Sequence, residues 1–219
     1  MTVFAIDTTA EYGSIALVRD GALVEELPMH SPEGFGQILF QHIAQLLDRH
    51  GLRATDIDCY ASATGPGSFT GVRIALAAVK GLAESAGRKV AGVSNLRAIA
   101  SYGETHSRAT VLDARRGEIY GAVYDAALRP IQPEVVTPFA QWLDGLPDDV
   151  EIVGQNLAIF APALAGTRFA AAPMRHAPRA IAGAIGLIVS SEPDLFADPA
   201  ALDANYVRRS DAELMWKEA

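Results

Sequence analysis

Short apolar runs alternate with turn signals at the start of the chain and predict a three-stranded meander. The runs cover residues 3–6, 14–18 and 23–27, and Asp20-Gly21 separates the last two. Two strands joined through an Asp-Gly turn indicate an antiparallel hairpin. The connection after the first run carries Asp7, Thr8 and Thr9. We therefore expect these polar residues at the end of a strand.

Helical spacing and apolar runs then alternate as far as residue 102. Apolar residues recur at helical spacing from Phe35 to Gly51, and residues 57–64 are almost continuously apolar, which is typical of a strand buried on both faces. The pattern predicts a helix over residues 35–51, a strand over 57–64, a helix over 70–86, a strand over 90–93 and a helix from Ser94 to about residue 102.

The same order of elements recurs in weaker form after residue 103. Strands are expected over residues 109–113, 118–124, 131–136 and 151–154, with a turn at Arg116-Gly117. Pro138 suits the first position of a helix, a brief helix should end at Pro162, and Ile181, Ala184, Ile185 and Ile188 mark a later helix. We predict two mixed α/β lobes, residues 1–103 and a smaller 104–219, whose polar tail packs back on the first.

Composition and charge narrow the class of protein. The chain has 219 residues, of which 50% are hydrophobic, so it is not a disordered chain. Its net charge of −8 argues against a protein that binds nucleic acid alone, because such proteins use basic faces to neutralise phosphates. The single cysteine, Cys59, lies in an apolar run and is expected in the core. With no basic leader and no long apolar stretch, we expect a soluble, cytoplasmic protein without contact to a membrane.

The helix over residues 70–86 is apolar around most of its circumference. One stripe should pack on a sheet, and Ile74, Ala77, Ala78 and Gly81 fill much of the remainder. Phe40 and Leu47 likewise fall outside the stripe of the preceding helix. A helix that is apolar all round is normally buried on both sides. These six residues therefore mark a partner interface, unless the second lobe covers them.

A glycine-rich turn between the buried strand and this helix is the most conspicuous motif. It contains Gly65, Pro66, Gly67, Ser68, Phe69, Thr70, Gly71 and, after Val72, Arg73. Such a turn can receive an anion on exposed backbone N–H groups. However, its glycine spacing misses G-x-G-x-x-G and it lacks the lysine of a P-loop. The pattern favours a tight turn that starts a helix and lets backbones approach closely.

Other catalytic patterns are absent from the sequence. No two of the five histidines have the helical spacing of a metal motif, and no G-x-S-x-G elbow occurs. Asp7 suits a turn cap better than a metal or phosphate ligand. The segment from Asp113 to Glu118 is charge-dense, so it is either a solvated hairpin tip or an arginine-mediated contact. Pattern alone therefore identifies no active site.

Several of these segments together resemble a known family. Residues 5–9 and 13–17 resemble the opening of the sugar kinase/Hsp70/actin superfamily. Five further segments resemble the bacterial TsaB (YeaZ) family and occur in the same order as in that family. They are the glycine-rich turn, Lys80-Gly81-Leu82-Ala83, Val93-Ser94-Asn95-Leu96, residues 113–120 and Asn205-Tyr206-Val207-Arg208. One departure is His30-Ser31-Pro32-Glu33, where the family commonly has His-Ser-Glu.

The resemblance implies a fold and a role. The fold would be actin-like, α/β, with a five-stranded first sheet, a degenerate second lobe, and a degenerate phosphate loop at Asp7, Thr8 and Thr9. The role would be a non-catalytic activating subunit in making threonylcarbamoyladenosine beside the tRNA anticodon. The expected partners are a TsaD-like transferase and a TsaE-like ATPase, which would hold the metal and ATP or ADP, while this chain would need no cofactor.

Further expectations concern assembly and the alternatives. The family resemblance implies a homodimer in isolation and tRNA contact mainly through the complex. The partner interface would be a helical bundle with TsaD or with a second copy. A stand-alone ATP-dependent kinase or peptidase of the same superfamily is the alternative, and a self-associating structural protein is a third.

Overall fold

The computed structural model describes residues 1–208. Residues 209–219, which end the predicted second lobe and its polar tail, lie outside the described residues.

The first sheet is built from the predicted meander and two further strands. The strands are β1 (Thr2–Asp7), β2 (Tyr12–Arg19), β3 (Ala22–His30), β4 (Cys59–Ala63) and β5 (Lys89–Val93). Their order is β3-β2-β1-β4-β5, with β1, β2 and β3 antiparallel and β4 and β5 parallel to β1. Asp20 and Gly21 turn between β2 and β3 with φ values of 51° and 78°. The predicted meander and its Asp-Gly turn are confirmed.

The second sheet repeats this topology strand for strand. Its strands are β6 (Arg108–Arg115), β7 (Glu118–Tyr124), β8 (Pro130–Pro138), β9 (Glu151–Gly154) and β10 (Met174–His176). The order is β10-β9-β6-β7-β8, again an antiparallel meander followed by two parallel strands. The second lobe is therefore reduced in its helices rather than in its sheet.

Six α-helices complete the fold. They are α1 (Leu39–Arg49), α2 (Phe69–Ala86), α3 (Asn95–Ala100), α4 (Phe139–Asp144), α5 (Ala161–Leu164) and α6 (Ala182–Ser191) within the described residues. Short 3-10 turns lie at Ala54–Asp56, Leu157–Ile159, Pro193–Leu195 and Pro199–Ala201. No helix among residues 1–208 is long and apolar enough to cross a membrane.

The helices are exchanged between the two sheets. Alternate residues of β1 face opposite sides, so Phe4 and Ile6 pack against α1 and α2, whereas Val3 and Ala5 pack against α6. Helix α6 thus comes from the second half of the chain but covers the first sheet. Helix α3 comes from the first half and packs on β6 and β7. Each lobe therefore completes its core with a helix from the other half.

Two local predictions were wrong, and one strand was not predicted. Pro138 ends β8 and flanks α4 instead of standing at its first position. Pro162 lies in the first turn of α5 rather than ending a helix, because a helix start leaves its N–H groups unbonded and tolerates proline. Strand β10 has only three residues, too few for an alternating pattern, and it was missed.

Candidate functional site

The predicted phosphate loop is buried and hydrogen-bonded to itself. Asp7, Thr8 and Thr9 are 2%, 1% and 4% exposed. The Asp7 carboxylate accepts hydrogen bonds from the Thr9 amide (2.9 Å) and the Thr9 hydroxyl (2.6 Å). The Asn95 side-chain amide donates to the same hydroxyl at 2.6 Å. Asp7 therefore caps its own turn, as the sequence pattern favoured.

Burial changes the acid–base behaviour of Asp7. Removal from water disfavours the charged carboxylate and raises the pKa of Asp7 to about 6. The hydrogen bonds from Thr9 and Asn95 oppose this rise in pKa because they stabilise the anion. A carboxyl group with a raised pKa in a cleft is a candidate for catalysis, but structural networks produce the same shift.

The glycine-rich turn lies directly on this loop. The Ser68 amide donates to the Thr9 carbonyl at 2.7 Å, and the Thr8 hydroxyl donates to the Gly71 carbonyl at 2.7 Å. A Cβ atom at Gly71 would lie 2.0 Å from the Thr8 carbonyl oxygen, and one at Gly67 would lie 2.6 Å from that of Thr9. Only glycine permits this approach of two backbones. The tight-turn interpretation of the motif is confirmed.

The N–H groups of Gly65, Ser68 and Gly71 in the turn are bonded within the chain. Ser68 caps α2 by accepting from the Gly71 amide at 3.2 Å, and the Asn95 side chain accepts from the Gly65 amide at 2.9 Å. These groups belong to the region that an anion would occupy at the N-terminus of α2. The turn therefore uses its donors to hold the loop and α3 in place.

A cleft of about 320 Å³ lies between the two lobes beside this loop. Asp7, Ser68 and Asn95 line it from the first half of the chain, and Ala114, Arg115 and Tyr120 line it from the second. Two of the segments with family resemblance, the glycine-rich turn and the charged hairpin, thus both line the cleft. Among residues 1–208, no three His, Cys, Asp or Glu side chains are grouped as a metal ion would require.

The charged hairpin forms the outer edge of the cleft. Arg116 and Gly117 form its two-residue turn, with φ values of 57° and 78°, as the sequence predicted for this position. Arg115 precedes them with a φ of 66° and a side chain that is 87% exposed, 3.6 Å from Asp113.

The last described residues join the two lobes at the cleft. The Asn205 backbone amide donates to the Thr64 carbonyl at 2.9 Å, and its side chain donates to Glu134 at 2.6 Å. Arg208 donates to the Ala114 carbonyl at 2.8 Å and pairs with Glu118. The segment Asn205-Tyr206-Val207-Arg208 therefore crosses from the first sheet to the charged hairpin.

Glu134 is a half-buried carboxylate between the two lobes that sequence reasoning missed. Besides Asn205, its carboxylate accepts from the Tyr124 hydroxyl at 2.7 Å and from the Ser94 hydroxyl. Burial and this carboxylate raise the pKa of Tyr124 far above its ordinary value. The sequence signal was weak, because Glu134 stands alone among the prolines of β8.

The predicted partner face is divided by the structure. Phe40 is 58% exposed, Ala77 and Gly81 are also exposed, and Ile74 is half-buried. Leu47 and Ala78, by contrast, are 8% and 4% exposed inside the core around α1 and α2. The prediction that these two residues lie on a free surface was wrong. The core around α1 and α2 buries more of the circumference of each helix than one apolar stripe.

Comparisons with known proteins match the same group of proteins that the sequence motifs resemble. Residues 27–175, more than half of the chain, match the family model described as TsaD, tRNA N6-adenosine threonylcarbamoyltransferase. The tRNA threonylcarbamoyladenosine biosynthesis protein TsaB of Bacillus subtilis is 28% identical over 100% of this chain and 99% of its own length. The Escherichia coli protein of the same description is 34% identical over 66% of this chain and 68% of its own.

Solved structures give the same assignment. YeaZ from Pseudomonas aeruginosa superposes with a TM-score of 0.76 at 26% identity, covering 94% of this chain and 99% of that one. The activator of 2-hydroxyisocaproyl-CoA dehydratase from Clostridium difficile, solved with ADPNP, shares the fold with a TM-score of 0.52 at 11% identity over 89% of this chain and 96% of its own. The actin-like architecture is thereby confirmed, and the chain belongs to the TsaB (YeaZ) family, within the wider group that the TsaD model describes.

Proposed function

We propose that this chain is a non-catalytic, activating subunit in the synthesis of threonylcarbamoyladenosine in tRNA, next to the anticodon. The observation that supports this most is that backbone of the same chain covers the predicted phosphate loop. The glycine-rich turn of the same chain lies on Asp7, Thr8 and Thr9, where the superfamily resemblance places a phosphate loop. The backbone of the same chain is thus packed directly against this loop.

The proposed partner is a TsaD-like transferase, and the proposed contact is the outer face of α1 and α2. Phe40, Ala77 and Gly81 are exposed on these helices, and small residues let a second helix approach closely. We assign the same face to a homodimer when the transferase is absent. Partner-held ATP or ADP and metal, a TsaE-like ATPase and a cytoplasmic location complete the proposal, with tRNA contacted mainly through the complex.

Reconstitution by omission tests the role. The chain, the TsaD-like protein and the TsaE-like protein of one organism are mixed, and tRNA modification is measured with each left out. We expect modification to require this chain, although the chain alone binds ATP only weakly. Full activity without it, or sub-micromolar ATP affinity of the isolated chain, would favour the stand-alone kinase.

Replacement of Asp7 tests whether the chain is catalytic. Asp7→Ala should leave modification near wild type, apart from any loss of folding, and Asp7→Asn retains an oxygen acceptor for the Thr9 amide. If Asp7→Asn abolishes modification while the fold and the complex persist, the chain holds a catalytic group and the proposal is wrong.

The partner face has its own test. Ala78→Glu would bury a charge in the chain's own core, so exposed Ala77 is the better position. We expect Ala77→Glu to abolish binding of the TsaD-like protein with an unchanged circular dichroism spectrum. Ala140→Glu, the same change at an exposed alanine of α4, is the matched control and should bind normally. Normal binding by Ala77→Glu would remove α2 from the interface.

A further inference from the structure

An arginine and two aromatic side chains are stacked on the surface directly after Ser68, which lines the cleft. The Arg73 guanidinium lies 3.7 Å from the centre of the Phe69 ring and donates to the Tyr206 hydroxyl at 3.2 Å. The Phe69 and Tyr206 rings lie 5.3 Å apart and are 41% and 49% exposed. Large aromatic rings are normally buried away from water. Because exposed apolar patches mark interaction sites, this exposed stack is a candidate binding surface.

Arg115 lines the cleft from the second half of the chain. The same short segment links both groups, since Tyr206 contacts Phe69 while Arg208 contacts the Ala114 carbonyl beside Arg115. We call Phe69, Arg73, Arg115 and Tyr206 the arginine–aromatic rim. It gathers residues from three separate parts of the chain, the glycine-rich turn, the charged hairpin and the last described segment.

The charges of the rim contrast with those of the whole protein. The chain carries a net charge of −8. Within residues 1–208, however, Arg73 contacts a ring and a phenol rather than a carboxylate, and Arg115 is 87% exposed beside a single acid, Asp113. Arg73 and Arg115 therefore place two exposed positive charges beside a cleft that Asp7, Glu11 and Asp113 also line.

The backbone of the hairpin supports a role for its side chains. Arg115 and Arg116 both have positive φ, a conformation that glycine or asparagine adopts more readily. Strained positions of this kind cluster where a side chain has a function to perform. The structure holds Arg115 at the cleft edge despite that preference.

From this geometry we infer that the arginine–aromatic rim binds RNA, with Arg73 and Arg115 on backbone phosphates and Phe69 and Tyr206 stacked on an unpaired base. Arginine next to exposed aromatic rings is the chemistry that proteins use for single-stranded and looped RNA. An acidic protein surface would match the arginines, whereas RNA would in addition offer an unpaired base to the exposed parts of the two rings. The inference rests on the proposed function, because that supplies an RNA substrate.

Direct RNA binding by the assembled complex tests the inference. The full chain is combined with its TsaD-like partner, and the affinity for a tRNA transcript is measured by fluorescence anisotropy over a range of salt concentrations. Arg73→Gln with Arg115→Gln should weaken binding roughly tenfold at low salt. The plot of log affinity against log salt should become shallower by about one for each arginine removed.

Two further variants separate stacking from charge. Phe69→Ala should weaken binding roughly tenfold without changing the salt slope, because a neutral ring releases no counterions. Phe69→Tyr should restore the affinity. The matched control is Arg53→Gln on the far side of the first lobe, where Arg53 is 81% exposed and paired with Asp56. It should change neither quantity.

The other outcomes overturn the inference. Unchanged affinity and slope in the arginine variants, with the complex intact by sedimentation, would show that the rim does not contact RNA. Loss of the complex itself would identify the rim as a protein contact instead. A complex that binds RNA no better than the TsaD-like protein alone would also overturn it. Failure of the proposed function is distinguished by the omission experiment, since binding is measured without turnover.

Discussion

Asp7 connects a single residue to the stability of the whole chain. Because burial raises its pKa from 3.8 to about 6, the folded protein holds this proton more tightly than the unfolded chain. The group therefore contributes most at low pH, and its contribution is lost as pH rises from about 4 through 6. The shift corresponds to about 3 kcal/mol.

Asp7→Asn should remove this dependence. We expect the difference in unfolding free energy between wild type and variant to change by about 2 kcal/mol between pH 4 and pH 7, in favour of the variant at pH 7. Chemical denaturation at both pH values measures it. Asp148→Asn, at a carboxylate that is 86% exposed, is the control. A constant difference for Asp7→Asn would contradict the raised pKa.

Gly71 shows what one methyl group does where two backbones meet. A Cβ atom would lie 2.0 Å from the Thr8 carbonyl oxygen, which is backbone and cannot rotate away. Gly71→Ala should therefore destabilise the chain by about 3 kcal/mol. Urea denaturation measures the loss, and a change below about 0.5 kcal/mol would mean that the turn moves off the loop easily.

At the scale of an element, helix α2 contains a glycine, Gly81, where an added methyl group would not clash. A Cβ atom at Gly81 would meet nothing within 4 Å, and glycine inside a helix is unfavourable. Gly81→Ala should raise the unfolding free energy of the isolated chain by about 0.5–1 kcal/mol. The same methyl group should weaken binding of the TsaD-like partner, because it separates the two helices. Unweakened binding would place Gly81 outside the helix contact.

The apolar circumference of α2 has two causes that its sequence cannot separate. Val72 and Val79 pack into the core of the first lobe, and Ala78 joins them. The short turn Pro199–Ala201 also packs on α2, so the last part of the chain covers some of the helix, which was one of the two explanations. Ala77 and Gly81 remain open.

The exchange of α3 and α6 governs the behaviour of the whole molecule. Without α6, the face of the first sheet that carries Val3, Ala5 and Val18 would lie in water. A fragment of residues 1–103 should therefore fail to unfold cooperatively, whereas residues 1–208 should unfold in one transition. Circular dichroism during denaturation distinguishes them. Independent cooperative folding of the fragment would show that α6 is dispensable to the first lobe.

Much of the architecture was determined locally. The alternation of residues 3–27 and the Asp20-Gly21 turn were sufficient for the meander, because strand period and turn type depend on neighbouring residues. The glycine-rich turn was recognised in the same way, as was the start of α3 at Ser94. The site prediction succeeded to the extent that Asp7 caps its own turn.

Tertiary structure decided which surface covers each apolar face and which distant residues meet. No local sequence pattern predicts that α6 packs on the first sheet or that the three-residue strand β10 forms an edge of the second. The local pattern also does not show that Ala78 is buried while Ala77 is exposed. Nor does it bring Glu134 to Asn205, or Tyr206 to Phe69. Hydrophobic burial is non-directional, so a sequence specifies that a face must be covered, and only the folded chain specifies by what.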